Sequence, residues 1–302
     1  LTCIKAGGGS GASCVQEPPY RGSHEAFRMS NTIAVFRSPQ PRIRRVPVER
    51  PWAWLVAGWD DLRANLPYSV ACGLVPVAAG WLAIVLLIWL DLPYLVLPLG
   101  AGFFFVGPFL AVGLYEISRR RGIGLPLHAA GVFGAWRRNP DQLALMGALL
   151  IFVHLVWMRV AQLLFALFEW RSLPAWDRFA DLLWFSSSSL PFLTVGMICG
   201  GALAVAVFAI GAFSIPYLLD RREANLFEAI ATSVAAIRLN PRPMALWAAL
   251  IVFLVAAGIV PGLIGLAVVV PVVGHATWHA YRDIIVFPDD ADRAASANDL
   301  AL

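Results

Sequence analysis

The chain has 302 residues, 59% of them hydrophobic and only 14% charged, with a formal net charge of +4. Soluble domains run about 45–50% apolar and 25% charged, so this composition excludes a pair of ordinary soluble domains, and the mean hydropathy of +0.71 makes lipid the suited solvent. The positive charge does not point to nucleic acid, because an arginine excess in a membrane protein is first a matter of orientation.

Taken in chain order, residues 1–42 read as a disordered tail. The tail is rich in Gly and Ser, has no apolar core of a signal peptide, and contains Met29, a natural start in this reading. Cys3 and Cys14 lie in it, Cys72 and Cys199 in apolar sequence, and no spacing suggests a disulfide framework, a zinc site or covalent haem. Residues 43–286 form one membrane domain and 287–302 a second tail. A hydrocarbon core about 30 Å thick needs roughly 20 apolar residues as helix. Six stretches qualify, near 68–90, 93–115, 141–168, 190–217, 243–260 and 262–281. Val260, Pro261 and Gly262 separate the last two as a tight hairpin, since one helix of about forty residues would overshoot the bilayer even when tilted. The fold expected is therefore all-α, a polytopic membrane bundle of six spans.

Arginine placement sets the orientation. Arg37 to Arg63 precede the first span, Arg119, Arg120, Arg121, Arg137 and Arg138 follow the second, and Arg221, Arg222, Arg238 and Arg242 follow the fourth, against only Arg171 and Arg178 between the third and fourth. Cytoplasmic loops retain such residues, so both termini and the even loops are expected in the cytoplasm. Among the basic residues only Lys5 is lysine, a bias of GC-rich bacterial genomes, and the location expected is the bacterial inner membrane.

An offset of 101 residues aligns Leu125 with Leu226, Ala135 with Ala236, Arg137 with Arg238, Asn139 with Asn240 and Pro140 with Pro241. A weaker copy is Arg63, Asn65 and Pro67. Each copy opens a pair of spans, and each pair closes on a tyrosine with arginine after it: Tyr115 with Arg119, Tyr217 with Arg221, Tyr281 with Arg282. Three repeated helical pairs, each entered through a short interfacial helix on the cytoplasmic side, account for the pattern. Segments 125–138 and 226–238 have the mixed apolar and basic character such helices need. The residue before a proline leaves the α region, and Asn tolerates the left-handed conformation found at helix ends, so Asn139-Pro140 and Asn240-Pro241 are helix junctions. Arg119, Arg137, Arg221 and Arg238 are the candidate contacts to lipid headgroups, with plain interfacial anchoring as the commoner role.

Ionisable groups inside a membrane are costly and mark sites. His154 lies about 16 Å into the third span at 1.5 Å per residue. His275 and His279, four residues apart on one helix face, could present imidazoles to a metal or a haem; a hydrogen-bonded packing role is the commoner meaning. No Asp or Glu is deep in a span, since Asp60, Asp61, Glu116, Asp220 and Glu223 fall at the cytoplasmic edge. No HExxH, phosphate loop, dinucleotide fingerprint or nucleophile elbow occurs, so no catalytic residue is assigned and no enzyme is expected.

Four passages carry a family resemblance: Arg44-Arg45-Val46-Pro47 leading to Trp59, Gly107-Pro108 through Gly113-Leu114-Tyr115-Glu116, Ala135-Trp136-Arg137-Arg138-Asn139-Pro140, and Gly274-His275-Ala276-Thr277-Trp278-His279-Ala280-Tyr281-Arg282. On these, Ile43 to Val286 resembles a bacterial family of predicted integral membrane proteins catalogued as domain of unknown function 2189. The resemblance implies a membrane-embedded protein and transfers no activity. The expectation is a non-enzymatic accessory or scaffolding component with membrane lipid and other membrane proteins as partners, no nucleic acid and no cofactor. A channel or carrier for a small or lipidic solute is the first alternative, and a haem or metal protein the second.

Overall fold

The computed structural model describes residues 41–92, 95, 96, 99, 100, 107, 111–168 and 189–288. Most of the expected second span, the loop with Arg171 and Arg178, and nearly all of both expected tails lie outside these residues.

Strand β1, Arg42–Ile43, leads into helix α1, Arg50–Ala64. Pro51 sits in the first turn, where its missing N–H costs no hydrogen bond. Pro51, Trp54, Gly58, Asp61 and Leu62 form the buried face of α1, while Trp52, Val56 and Trp59 point outward. Asn65 breaks the chain into α2, Leu66–Trp89. After the interrupted region come α3, Val112–Gly122, the short α4, Ala129–Phe133, and a 3-10 turn, Ala135–Arg138. Segment 125–138 is thus no continuous helix: Pro126 supplies no N–H, and Gly131 and Gly134 add backbone entropy a helix must overcome.

Helix α5, Pro140–Phe168, pairs with α6, Ser189–Gly211, where Gly200 admits the Trp157 ring and Phe165 meets Phe192 edge-on at 6.2 Å. Helix α7, Ser214–Asp220, follows, and with it the apolar stretch runs from Leu190 to Asp220. Helix α8, Leu226–Leu239, covers the segment 226–238 expected to be helical, and the Asn225 side chain caps it by accepting the Glu228 N–H at 2.9 Å. Helix α9, Pro241–Ile259, and α10, Leu266–Ile284, form the expected hairpin, turned by Gly262 at φ 67 and Leu263 at φ 68. Strand β2, Ile285–Val286, then pairs antiparallel with β1, Ile285 opposite Ile43, so the two ends of the fold are joined.

Among the described residues four helices are long and apolar enough to cross a membrane: Leu66–Trp89, Pro140–Phe168, Leu190–Asp220 and Pro241–Ile259. The expected last span is a helix of suitable length that does not meet this standard. Its second half carries His275, His279, Arg282 and Asp283 and is covered by α1 and α3. Gly58 of α1 packs so closely on α10 that a Cβ there would stand 2.6 Å from the Val272 carbonyl oxygen and 2.7 Å from the Ala276 nitrogen. Gly73 of α2 lies in the same way against Ala267 and Pro271.

The core is concentrated at the arginine-rich end. There α3, α7 and α10 touch one another, with Tyr115, Tyr217 and Tyr281 all buried and the last two rings 6.5 Å apart. Trp54 meets Trp247 edge-on at 5.9 Å. Phe287, expected in a tail, is buried against Tyr217 at 5.6 Å.

Candidate functional site

The polar groups of α1, α2, α3 and α10 converge on one buried chain of hydrogen bonds. Asp61, 3% exposed, closes the inner face of α1, one turn after Gly58. Its Oδ2 accepts from Ser118 Oγ at 2.5 Å and from His279 Nε2 at 2.9 Å, and its Oδ1 accepts from Arg121 Nη1 at 2.5 Å. Ser118 also meets His275 Nδ1 at 2.8 Å, and the second nitrogen of His275 meets Ser69 Oγ at 2.9 Å. Ser69, Ser118 and His275 are all buried.

Counting hydrogens fixes the directions. A carboxylate only accepts and a hydroxyl has one proton to give. Ser118 spends its proton on Asp61, so His275 Nδ1–H donates to Ser118 and Nε2 accepts from the Ser69 hydroxyl. One neutral tautomer of His275 satisfies every member, which is the condition for a buried network to stabilise rather than strain a fold.

Three further carboxylates anchor the same end. Glu116, 1% exposed, receives Arg119 Nε at 2.7 Å and Arg120 Nε at 2.6 Å, with Arg138 at 3.9 Å. Asp283 receives Arg44, Arg50 Nε at 2.5 Å and Trp54 Nε1 at 3.0 Å. Asp220 accepts from Tyr281 at 2.9 Å and Arg282 at 3.1 Å. Burial pushes the carboxyls of Asp61, Glu116 and Asp283 up, but the donors outweigh it. His279 and Ser118 hold Asp61 below the ordinary range, Arg119 and Arg120 hold Glu116 there, and Arg50 and Trp54 hold Asp283.

The structure places the sequence candidates unevenly. His275 and His279 do share a cluster, but as hydrogen-bonding groups already matched to Ser69, Ser118 and Asp61. His154 takes no part in it, and its Nδ1 is buried on α5 without a hydrogen-bond partner among the described residues. Among the described residues no group of three or more His, Cys, Asp or Glu side chains is arranged to hold a metal ion. Arg137 and Arg238 are exposed, whereas Arg119 is spent on Glu116 and the Arg221 guanidinium lies 3.6 Å from the centre of the Phe287 ring.

The junction asparagines work differently from the expectation. Asn65, Asn139 and Asn240 have φ of -131, -149 and -125, none of them left-handed. Two act as clamps through their side chains. Asn139 Nδ2 donates to the Ala224 carbonyl at 3.0 Å, with the Leu218 and Arg221 carbonyls at 3.4 Å. Asn240 Nδ2 donates to the Arg44 carbonyl at 3.1 Å while its Oδ1 accepts from the Val46 N–H at 2.9 Å. Each clamp ties the helix after its proline to a remote backbone segment; Pro140 and Pro241 begin α5 and α9 as read from the sequence.

Asp61, Ser69, Ser118 and Arg121 are the members that sequence reasoning missed. The burial face of α1 carries the signal for Asp61, since Trp54, Gly58 and Asp61 recur at helical spacing. Ser69 and Ser118 had none, because a hydroxyl in apolar sequence commonly bonds its own helix.

No curated protein and no solved structure matches the chain. Residues 96–220 match the model of the family described as Predicted integral membrane protein (DUF2189), the family that the sequence resembles, and the match includes the passages around Tyr115 and Asn139.

Proposed function

We propose that the chain is a non-enzymatic accessory or scaffolding protein of the bacterial inner membrane, which offers its apolar helices to lipid and to another membrane protein. One observation carries the reading. In the most apolar window of each long helix only 17% of residues are buried for Leu66–Trp89 and Pro140–Phe168, 6% for Leu190–Asp220 and 22% for Pro241–Ile259. Helices so little covered by their own chain leave their faces to other molecules, while the rigid, ion-paired end fixes where they stand. The polar cluster fits a structural tie in this proposal, since Ser69, Ser118 and His275 are sealed from any substrate.

The topology proposed is six spans in three repeated pairs, with Leu66–Trp89, Pro140–Phe168 and Pro241–Ile259 opening them and both termini cytoplasmic. Support comes from the Asn junctions before α2, α5 and α9 and from the outward aromatic residues Trp52, Trp59, Trp136 and Phe227 near them, as interfacial helices require. The carrier alternative draws less support, because Pro271 is buried against Gly73 in a helix contact.

Purification from native membranes in mild detergent tests the function. A stoichiometric companion, lost when Met197 and Ile198 on the exposed face of α6 are changed to alanine, is the expected result. A chain that purifies alone and moves solutes in proteoliposomes refutes it. Reporter fusions after Arg121 and Arg222 should report the same compartment; opposite compartments refute the topology.

A further inference from the structure

Beside the polar cluster lies an apolar groove of about 390 Å³, lined by Cys72 and Val75 of α2, Val112 of α3, and Val132, Phe133 and Trp136 after it. Val75, Phe133 and Trp136 are exposed, so the groove opens sideways. At its rim the Arg137 guanidinium lies 5.5 Å from the centre of the Trp136 ring. Arg137 is exposed and pairs with no carboxylate among the described residues, unlike Arg119, Arg120 and Arg138 beside it.

We infer that this groove holds one acyl chain of an anionic phospholipid whose phosphate sits on Arg137. The order of chemistry with depth carries the assignment. Val75 is nine residues beyond the start of α2, about 13 Å along the helix, whereas Trp136 and Arg137 lie at the junction just before α5. A charged group at the junction, an aromatic residue beside it and apolar walls running inward repeat the layering of a lipid molecule. A guanidinium offers forked donors matched to phosphate oxygens. The inference rests on the membrane topology proposed above and adds the chemistry of one partner.

Native mass spectrometry of the full chain in dodecyl maltoside, titrated with dioleoyl phosphatidylglycerol or with dioleoyl phosphatidylcholine, tests it. One phosphatidylglycerol should bind at concentrations that leave phosphatidylcholine unbound. Arg137→Gln should weaken phosphatidylglycerol about fivefold, the worth of one arginine near an anionic surface, and weaken phosphatidylcholine less, because its choline ammonium already neutralises the phosphate. Val75→Trp, which fills the groove from an exposed position, should weaken both lipids more than about tenfold, a loss equal to about two buried methylenes. Arg242→Gln, at an exposed arginine away from the groove, should change neither. Equal affinity for the two lipids, equal effects of Arg137→Gln and Arg242→Gln, or no effect of Val75→Trp overturns the inference. So does Val75→Trp releasing a second copy or a companion protein while lipid binding stays intact, a result that leaves the accessory reading standing. Absence of any companion, with lipid binding as expected, sinks only the accessory reading.

Discussion

Replacing Asp61 with alanine removes the acceptor on which three donors converge, and its cost can be worked from their exposure. Ser118 is 2% exposed and loses the acceptor of its one proton, a penalty of about 1–3 kcal/mol for a stranded buried group. The Arg121 and His279 side chains are 41% and 34% exposed, so water can replace the carboxylate and each loss is held to less than about 1 kcal/mol. The sum is about 1–5 kcal/mol, read from unfolding by sodium dodecyl sulfate in mixed micelles and followed by tryptophan fluorescence. Ser118→Ala should cost about 0.5–1.5 kcal/mol, the worth of one hydrogen bond, because the Leu114 carbonyl also accepts from the His275 ring. In the double variant the stranded hydroxyl no longer exists, so the two losses should fall short of adding by about 1–2 kcal/mol. Additivity within about 0.5 kcal/mol, or a loss below that for Asp61→Ala alone, refutes the connected chain of bonds.

Acid should unfold the arginine-rich end. Asp61, Glu116 and Asp283 have pKa values lowered by folding, so each contributes stability that is fully present above the ordinary carboxylate value of about 4 and lost as pH falls through the lower folded value; a stability flat from pH 6 to pH 2 contradicts this. Asn139→Ala and Asn240→Ala should each lower stability by about 1–3 kcal/mol by stranding buried carbonyl or N–H groups, whereas Asn225→Ala, an exposed cap, should cost about 1 kcal/mol; equal effects at all three sites refute the clamp. Gly58→Val should destabilise by about 1–3 kcal/mol or more, since its Cβ meets backbone atoms of α10 that cannot turn aside, and a neutral result denies the α1–α10 contact. His275→Ala should lower stability without changing the visible absorption of protein made in haem-replete cells, and a haem band lost with that substitution overturns the structural role.

Sequence patterns made the apolar helices legible because length and composition alone decide whether a helix can cross a bilayer. The boundaries at Leu66, Pro140 and Pro241 follow from prolines in the first turn, where the missing N–H costs nothing, although Pro76 and Pro271 lie inside helices. Hidden from the sequence were contacts between residues far apart, such as Asp61 with His279 and Asn240 with Arg44, since no local periodicity encodes a partner 200 positions away. The reading of Asp61 and Glu116 as groups at the membrane edge missed their burial, because charge position says nothing of what packs over it. Likewise, an asparagine before proline is a sound junction signal, but its side-chain bonds depend on which backbone comes near.

The uneven packing follows from the solvent at each end. Lipid tails are as apolar as leucine, so bringing two apolar helices together in a bilayer gains nothing from the hydrophobic effect. Bare faces on α6 therefore cost little there, and only close fits such as Gly200 on Trp157 hold the α5–α6 pair. At the arginine-rich end water is at hand, and burying Trp54, Trp247, Tyr217 and Tyr281 does stabilise the fold. The carboxylates there do a second job: they pair with Arg44, Arg50, Arg119 and Arg120, while other exposed arginines, Arg137, Arg238 and Arg242 among them, face outward. In the proposed topology, orientation by arginine and cohesion by arginine fall to different residues, so Arg137→Gln and Arg238→Gln should alter membrane contact at nearly constant stability, while Arg119→Gln should lower stability first.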